Sequence, residues 1–452
     1  MKKILLFLLI LNACLPAFSQ ETTPFSLGEG QGSVLPLSQQ DCRRMALEYN
    51  EKIKTANNAV EKAKLDRQIA FAQYLPKVDG SFTMVQMTDL DVIGMSLQTR
   101  GTYLAGINVT MPLYVGGQLT AANRLAQIGQ TVSEEQLRKA RMQVIADVDN
   151  AYFTLISVRS KVQMLEAYAR QMQGLYDQVQ LAVNVQMATE NDLLRISTKQ
   201  NEINYQLQKA RNGEQLCGLA LANIIGIDFE KTIIPTDTLF NSQFIINNSQ
   251  SSGLSEDFSS RPDLLLLQQQ VKASEVLVKK ERSNYLPTVA LVGGYSHYDN
   301  LRLKGGLTLL DGRTLGIKHT FSGGSPIAML SVGVPLLHWG AELKKVKKAK
   351  LNLNDSKLQL QQMERGMRVE VRRAVQNVTD GQRMVETATI GRQQADENLR
   401  VMRQKYDNQM CTMTDLLDAQ SQWQQARSNL IEAQTQLKIY ETEYLRVTGR
   451  LD

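Results

Sequence analysis

Between Gly116 and Gln186 the chain has no proline and repeats apolar residues in alternating steps of four and three: Val144, Val148, Ala151, Leu155, Val158, Val162, Leu165, Ala169, Met172, Tyr176, Val179 and Val183. This rhythm keeps one helix face apolar and predicts a coiled-coil seam. It returns at Met367, Val371, Ala374, Val378, Gly381, Val385, Ala388, Arg392, Ala395, Leu399, Met402 and Tyr406, where Arg392 is the only charge. At 1.5 Å per residue each such helix is about 105 Å long. No globular domain needs such a rod. Shorter helices are expected from Asp192 to Ile225 and from Asp415 to Val447. Two more are expected before Pro76 and Pro287, the first starting at Ser38 with Asp41 completing a capping box. Each covers about half the rod, so two stacked end to end would match one long helix.

Four segments alternate with period two instead. Tyr103, Ala105, Ile107, Val109, Met111 and Leu113 form one apolar face, while Thr102, Gly106, Asn108 and Thr110 face the other way. Ala328, Leu330, Val332, Val334 and Leu336 similarly oppose Ser331 and Gly333. Residues 78–84 and 288–297 supply two less regular strands, with 299–325 read as a loop. Strands of about ten residues with one lipid-like face fit a transmembrane barrel. A soluble sheet packed on a core has the same period, but strands separated by rods of this length have no core to pack on. Four strands cannot close a barrel alone, since about eight are the minimum.

The chain also repeats itself. At an offset of 223 residues Pro112 falls on Pro335, Gly117 on Gly340 and Gly226 on Gly449. Gln186–Leu194 matches Gln409–Leu417 at six of nine positions, and at a slightly shorter offset Tyr74-Leu75-Pro76 falls on Tyr285-Leu286-Pro287. Two tandem repeats, 37–226 and 262–449, joined by a polar linker at 227–261, account for these matches.

Composition narrows the setting. No apolar run long enough for a membrane-spanning helix follows the N-terminus. The 51 Lys+Arg are interleaved with 45 Asp+Glu, a net +6, which makes nucleic acid a poor partner. Lys2-Lys3, the apolar stretch Ile4–Leu11 and Pro16-Ala17-Phe18-Ser19 form a signal peptide over 1–19. Leu11-Asn12-Ala13-Cys14 offers a rival lipobox with Cys14 lipidated, although Asn12 is unusual there. Cys42, Cys217 and Cys411 are too widely spaced for a disulfide framework.

Together the duplicated helix–Leu-Pro–strand pattern, Met111-Pro112-Leu113 and Val334-Pro335-Leu336 followed by Gly117 and Gly340, Arg261-Pro262-Asp263, and Asp415-Leu416-Leu417-Asp418-Ala419 resemble the TolC-type outer-membrane efflux protein family. The resemblance covers nearly the whole mature chain. It implies a mainly α fold with transmembrane β: a tandem-repeat, long coiled-coil α-barrel, with four strands contributed to a trimeric 12-stranded β-barrel. It further implies a channel-tunnel in the outer membrane of a Gram-negative bacterium, its helices in the periplasm. The expected partners are two further copies of the chain, a periplasmic adaptor protein, an inner-membrane pump and outer-membrane lipid. The channel would passively export small molecules or proteins in tripartite efflux or type I secretion. The rival is a non-conducting periplasm-spanning coiled-coil scaffold or adaptor, whose strands form a small soluble sheet.

Candidate residues cluster at the turn between long and returning helices. Asp192 and Asp415 follow Thr189 and Thr412 by three residues, the spacing of a capping box. Asp415 can also line an acidic entrance ring, together with Asp418, whose repeat partner is Arg195. Tyr406 occupies a seam position, leaving its hydroxyl spare; the resemblance implies that it latches to Asp192. The family's usual turn glycine is Gln409 here, and a basic residue near the turn in the best-known member is replaced by Cys411. The run Lys344-Lys345-Val346-Lys347-Lys348-Ala349-Lys350 is either a solvated helix face or a contact with anionic headgroups. The three histidines are too scattered for a metal site, and no cofactor is expected. Gly28-Glu29-Gly30-Gln31-Gly32 has no preceding strand, and neither His-Glu-x-x-His nor Gly-x-Ser-x-Gly occurs, so an enzyme is not expected.

Overall fold

The computed structural model describes residues 34–86, 90–92, 95–98, 101–229, 232–238, 258–308, 314–336 and 339–451. The leader at 1–19 and Cys14 lie outside them. In chain order the elements are β1 (Val34–Leu37), α1 (Gln39–Tyr49), α2 (Glu51–Ala72), β2 (Lys77–Val85), β3 (Leu90–Val92), β4 (Met95–Gln98), β5 (Thr102–Val115), α3 (Gln118–Asn184) and α4 (Glu190–Ile225). Then come β6 (Thr232–Pro235), α5 (Pro262–Ser283), β7 (Thr288–Thr308), β8 (Thr314–Gly333), α6 (Ala341–Asp407) and α7 (Met413–Thr448). The rods α3 and α6 each have 67 residues, about 100 Å of helix. The returning helices α4 and α7 have 36 residues each, and α2 and α5 have 22 each.

Local chemistry sets the boundaries. Ser38 and Asp41 form the expected capping box. The first helix does not run unbroken toward Pro76, however. Asn50 has an extended backbone, its Oδ1 accepts the Lys52 N–H at 2.8 Å, and its Nδ2 donates to the Ile224 carbonyl at 2.7 Å. One buried side chain thus ends α1, starts α2 and fastens the junction to α4. Gly226 closes α4 at φ +77°, where an added Cβ would lie 3.1 Å from the Tyr49 backbone. A parallel pair of β1 and β6 follows, so part of the segment expected to be a linker is a strand.

The main sheet runs β2-β5-β7-β8, all antiparallel. Its register puts Val78 opposite Val109, Val109 opposite Gly293, Gly293 opposite Ala328, and Val289 opposite Val332. The alternating apolar positions therefore share one face across four strands. Every residue of β2 but Val85 is exposed, and β5 buries only Thr102, so neither sheet face rests on a core. That removes the packed soluble sheet. Strand lengths differ from expectation: β7 and β8 have 21 and 20 residues and pair from Thr288–Gly333 out to Thr308–Thr314, past an irregularity between Tyr298 and Leu301. Much of the expected 299–325 loop is strand. The β3–β4 hairpin adds to this extension through Met95↔Gly305 to Gln98↔Arg302. Val334 and Leu336 lie beyond the end of β8.

Both seams are buried or half-buried along their whole length. Near the sheet the helices pack in the order α2, α3, α5, α6; at the other end the order is α4, α3, α7, α6. Within one chain α2 and α4 do not lie along α6. The outermost helices show exposed apolar files at helical spacing: Leu65 and Ile69 on α2, Leu194, Tyr205 and Leu216 on α4, and Leu343, Leu351 and Leu358 on α6. The two strand-to-helix junctions differ. Gly116 (φ +56°) lies so close to α5 that a Cβ would meet the Ser283 carbonyl oxygen at 2.5 Å. Its counterpart Trp339 (φ +51°) is 86% exposed, and Leu336 is 91% exposed. Among the described residues no helix is long and apolar enough to cross a membrane.

Candidate functional site

The two helical hairpins end in turns of matching construction. At the first, Met187 N–H donates to the Ala182 carbonyl (2.7 Å) and Gln186 N–H to Val183 (3.0 Å). At the second, Met410 N–H reaches Lys405 (2.7 Å) and Gln409 N–H reaches Tyr406 (2.9 Å). This paired closure needs a left-handed residue, and glutamine supplies it at both tips, with φ +62° at Gln186 and +60° at Gln409. A Cβ in that region costs roughly 1–2 kcal/mol, so each tip holds local strain.

The returning helices start from reciprocal caps. Thr412 Oγ1 and N–H donate to Asp415 Oδ2 at 2.6 and 2.9 Å, and the Asp415 N–H returns a bond to Thr412 Oγ1 at 3.2 Å. These bonds hold the Asp415 carboxyl below its ordinary range. Thr189 and Asp192 repeat the arrangement, Oγ1 to Oδ2 at 2.7 Å. Asp415 therefore caps and also remains exposed, with exposed Asp418 one turn on; Met413, Leu416 and Ala419 turn inward. Arg195 of α4 donates to Thr414 Oγ1, bringing a guanidinium next to this acidic helix start.

Tyr406 packs in the apolar cluster near the tips. Burial, and then the charge of Asp192, raise its pKa, so the phenol keeps its proton beside that carboxylate. Asp192 Oδ2 is engaged by its own cap, and the two side chains are not hydrogen-bonded to each other within the chain. The Cys411 thiol donates to the Met402 carbonyl at 3.5 Å, and its pKa is raised by burial and by Asp415, which disfavours the reactive thiolate.

A polar cluster that sequence reasoning missed lies buried between α1, α3 and α7. Asp149 is fully buried; it accepts from Gln39 Nε2 (2.9 Å), Arg43 Nε (2.7 Å) and Thr442 Oγ1 (2.9 Å), and pairs with the second arm of Arg43. It joins α1 and α3 to α7. Beside it the Tyr152 hydroxyl bonds the Leu37 carbonyl and Asp237 at 3.0 and 2.9 Å. Burial and the neighbouring carboxylates push the Cys42 thiol up to about 12.

The architecture has measured counterparts. The sequence matches the outer membrane efflux protein family over residues 43–226 and 254–450. The chain belongs to that family. This efflux protein shares its fold with the CmeC outer membrane channel of Campylobacter jejuni, at TM-score 0.73 and 20% identity over 94% of this chain and 90% of that one. The open-state MtrE outer membrane channel of Neisseria gonorrhoeae gives 0.72 and 18% over 94% and 93%. The outer membrane protein VceC of Vibrio cholerae gives 0.71 and 16% over 91% and 96%. The full sequence matches no curated protein sequence. As a family member this efflux protein is an outer-membrane channel, with its helical tunnel in the periplasm.

Proposed function

We propose that three copies of this efflux protein close into one channel-tunnel that exports solutes handed over by a periplasmic adaptor and an inner-membrane pump. One observation carries the reading: each layer of the chain is an arc with two unsatisfied edges. The sheet ends at β2 and β8, the helices near it at α2 and α6, and the tip-side helices at α4 and α6. Head-to-tail contact joins β8 to β2 and α6 to α2 and α4 of the next copy, and a rotation that closes makes a ring. Three copies give twelve strands, above the minimum for a barrel. The leader at 1–19 would deliver the chain, with 37–226 and 262–449 as its two repeats.

The tips form the entrance. Asp415 and Asp418 contribute two negative charges per chain and Arg195 one positive, leaving a net charge of about −3 around three copies. That ring favours cations and narrows around the axis, while Tyr406 latches adjacent hairpins by reaching Asp192. Light scattering in mild detergent should give about 150 kDa of protein, three times the 50.7 kDa chain, and the same sample should conduct in a planar bilayer. A monomer without conductance would favour the scaffold. For the ring, reversal potential in a salt gradient should lose cation preference in the Asp415→Ala, Asp418→Ala double variant. Full selectivity in that variant would overturn it.

A further inference from the structure

We infer that a cavity between the two repeats, on the side of the tunnel wall that carries β6, binds a small multivalent organic or inorganic anion through carboxylate or phosphate groups. The cavity has a volume of about 550 Å³ and lies between α3, α6, α7 and the residues just after β6. Three arginines line it, one from each helix: Arg159, Arg392 and Arg427, with Ser160, Gln163 and Gln434 between them. Arg392 is the one charge in its seam. Its side chain is 36% exposed, but its Nε is buried and makes no hydrogen bond, so an anionic partner that reaches it offsets that loss.

The protein supplies only part of that partner. Asp396 Oδ1 accepts the Trp423 indole N–H at 2.7 Å, while the same carboxylate stands 3.8 Å from Arg392 Nε and 3.6 Å from Arg427 Nε. Both Nε atoms are buried and make no hydrogen bond to the protein. The Arg427 guanidinium lies 4.4 Å from the centre of the Trp423 ring, which holds its planar fork in place. Half-buried Arg159 makes no hydrogen bond or ion pair among the described residues. Asp237 also lines the cavity, but its Oδ2 accepts from the Gln39 N–H (2.8 Å) and the Tyr152 hydroxyl. Counting Asp396 and Asp237 against the three arginines leaves one net positive charge, with several guanidinium arms to spare. Cations are repelled and neutral acceptors gain only ordinary hydrogen bonds, while carboxylates and phosphates match the arginine fork in pairs.

Length argues for more than one anionic group. Counted from the last residue of its rod, Arg159 is ten residues farther from the tip than Arg392, about 15 Å along the axis. Extended arginine side chains cover most of that distance, and a polyanion of citrate or pyrophosphate size fills the remainder. Once seated it bridges α3 of the first repeat to α6 and α7 of the second.

Trp423 provides the readout, because Trp339 is the only other tryptophan. In a Trp339→Phe background, citrate titrated into the purified full-length oligomer at low ionic strength should change Trp423 emission saturably, with half-saturation below about 1 mM. Chloride at equal ionic strength should not. Arg159→Gln and Arg392→Gln should each weaken half-saturation about tenfold. Arg159 has no hydrogen-bond or ion-pair partner among the described residues, so its replacement removes no such contact there and keeps the test decisive. A linear, unsaturable response, or unchanged affinity in both variants, would overturn the proposal. Saturation that appears only after Glu256→Gln with Asp257→Asn would assign the cavity to the linker's own carboxylates, which also overturns it.

Discussion

Placing an arginine on the outer sheet face tests membrane register, chain pairing and family membership at once. Val109 lies half a residue from the midpoint of β5, and its cross-strand neighbours are Val78 and Gly293. Thr110, the next residue, pairs with Lys77 and Val292 and points to the opposite face. Near the bilayer midplane a lipid-facing arginine costs about 2–4 kcal/mol, and in the proposed three-copy barrel this would rise to roughly 6–12 kcal/mol. That is comparable with the whole stability of an ordinary domain. Val109→Arg, and Val332→Arg on β8, should therefore sharply reduce the heat-modifiable oligomer in outer-membrane fractions and lower the urea midpoint of protein refolded into phosphatidylcholine vesicles. Thr110→Arg should assemble near wild-type levels because its charge reaches water. If Thr110→Arg abolished assembly while Val109→Arg did not, the apolar face would line the lumen and the reasoning would fail.

Three further outcomes follow from the helices. Arg43→Ala leaves the fully buried Asp149 carboxylate without its main partner and should destabilise the protein by about 3–5 kcal/mol, read as a lower urea midpoint. Gln409→Gly removes a Cβ from a left-handed backbone and should slow hydrogen exchange at the second tip, a gain of roughly 0.5–1 kcal/mol; faster exchange would contradict the strain. Thr412→Ala should loosen the start of α7 by about 1 kcal/mol. Because the Asp415 pKa is lowered in the folded chain, the cap is intact above the carboxylate's ordinary value and is lost as pH falls through its folded value, below 3.8. Exchange of the first α7 turn, corrected for intrinsic rates, should rise in that window in wild type and rise less in Thr412→Ala, which keeps only the backbone bond from residue 412 to Asp415.

The parts legible in sequence were those that a short window determines. A 4-3 rhythm sustained over twelve positions has one stable solution, so the seams at 144–183 and 367–406 could be read directly. The caps at Ser38, Thr189 and Thr412 were equally local, since donor and acceptor lie three residues apart. The break at Asn50 was missed: its cap on Lys52 is local, but the bond that fastens the junction goes to Ile224, 174 residues away. Asp149 looked like one more polar residue beside a seam. Its partners Arg43 and Thr442 come from opposite ends of the chain, and only packing shows that they meet. The length of β7 and β8 was hidden because their outer halves lose the clean alternation of the inner ones: beyond the irregularity at Tyr298 the ladder pairs Arg302 with Thr320 and Lys304 with Lys318. At the tips, Asp415 and Asp418 were visible as a pair, but the approach of Arg195 across 219 residues to Thr414 was not.

The open edges of the single chain make its abundance matter. A lone copy carries unpaired backbone along β2 and β8, and shows Leu336 and Trp339 to solvent. Bare strand edges recruit other strands indiscriminately, so transit across the periplasm is the hazardous stage of this protein's life. If three copies close the ring as proposed, mass action would make the finished ring scale with the cube of the free chain, so halving supply at low occupancy would cut channels about eightfold. Small changes in expression or escort thus become large changes in export capacity, with no alteration to the pore.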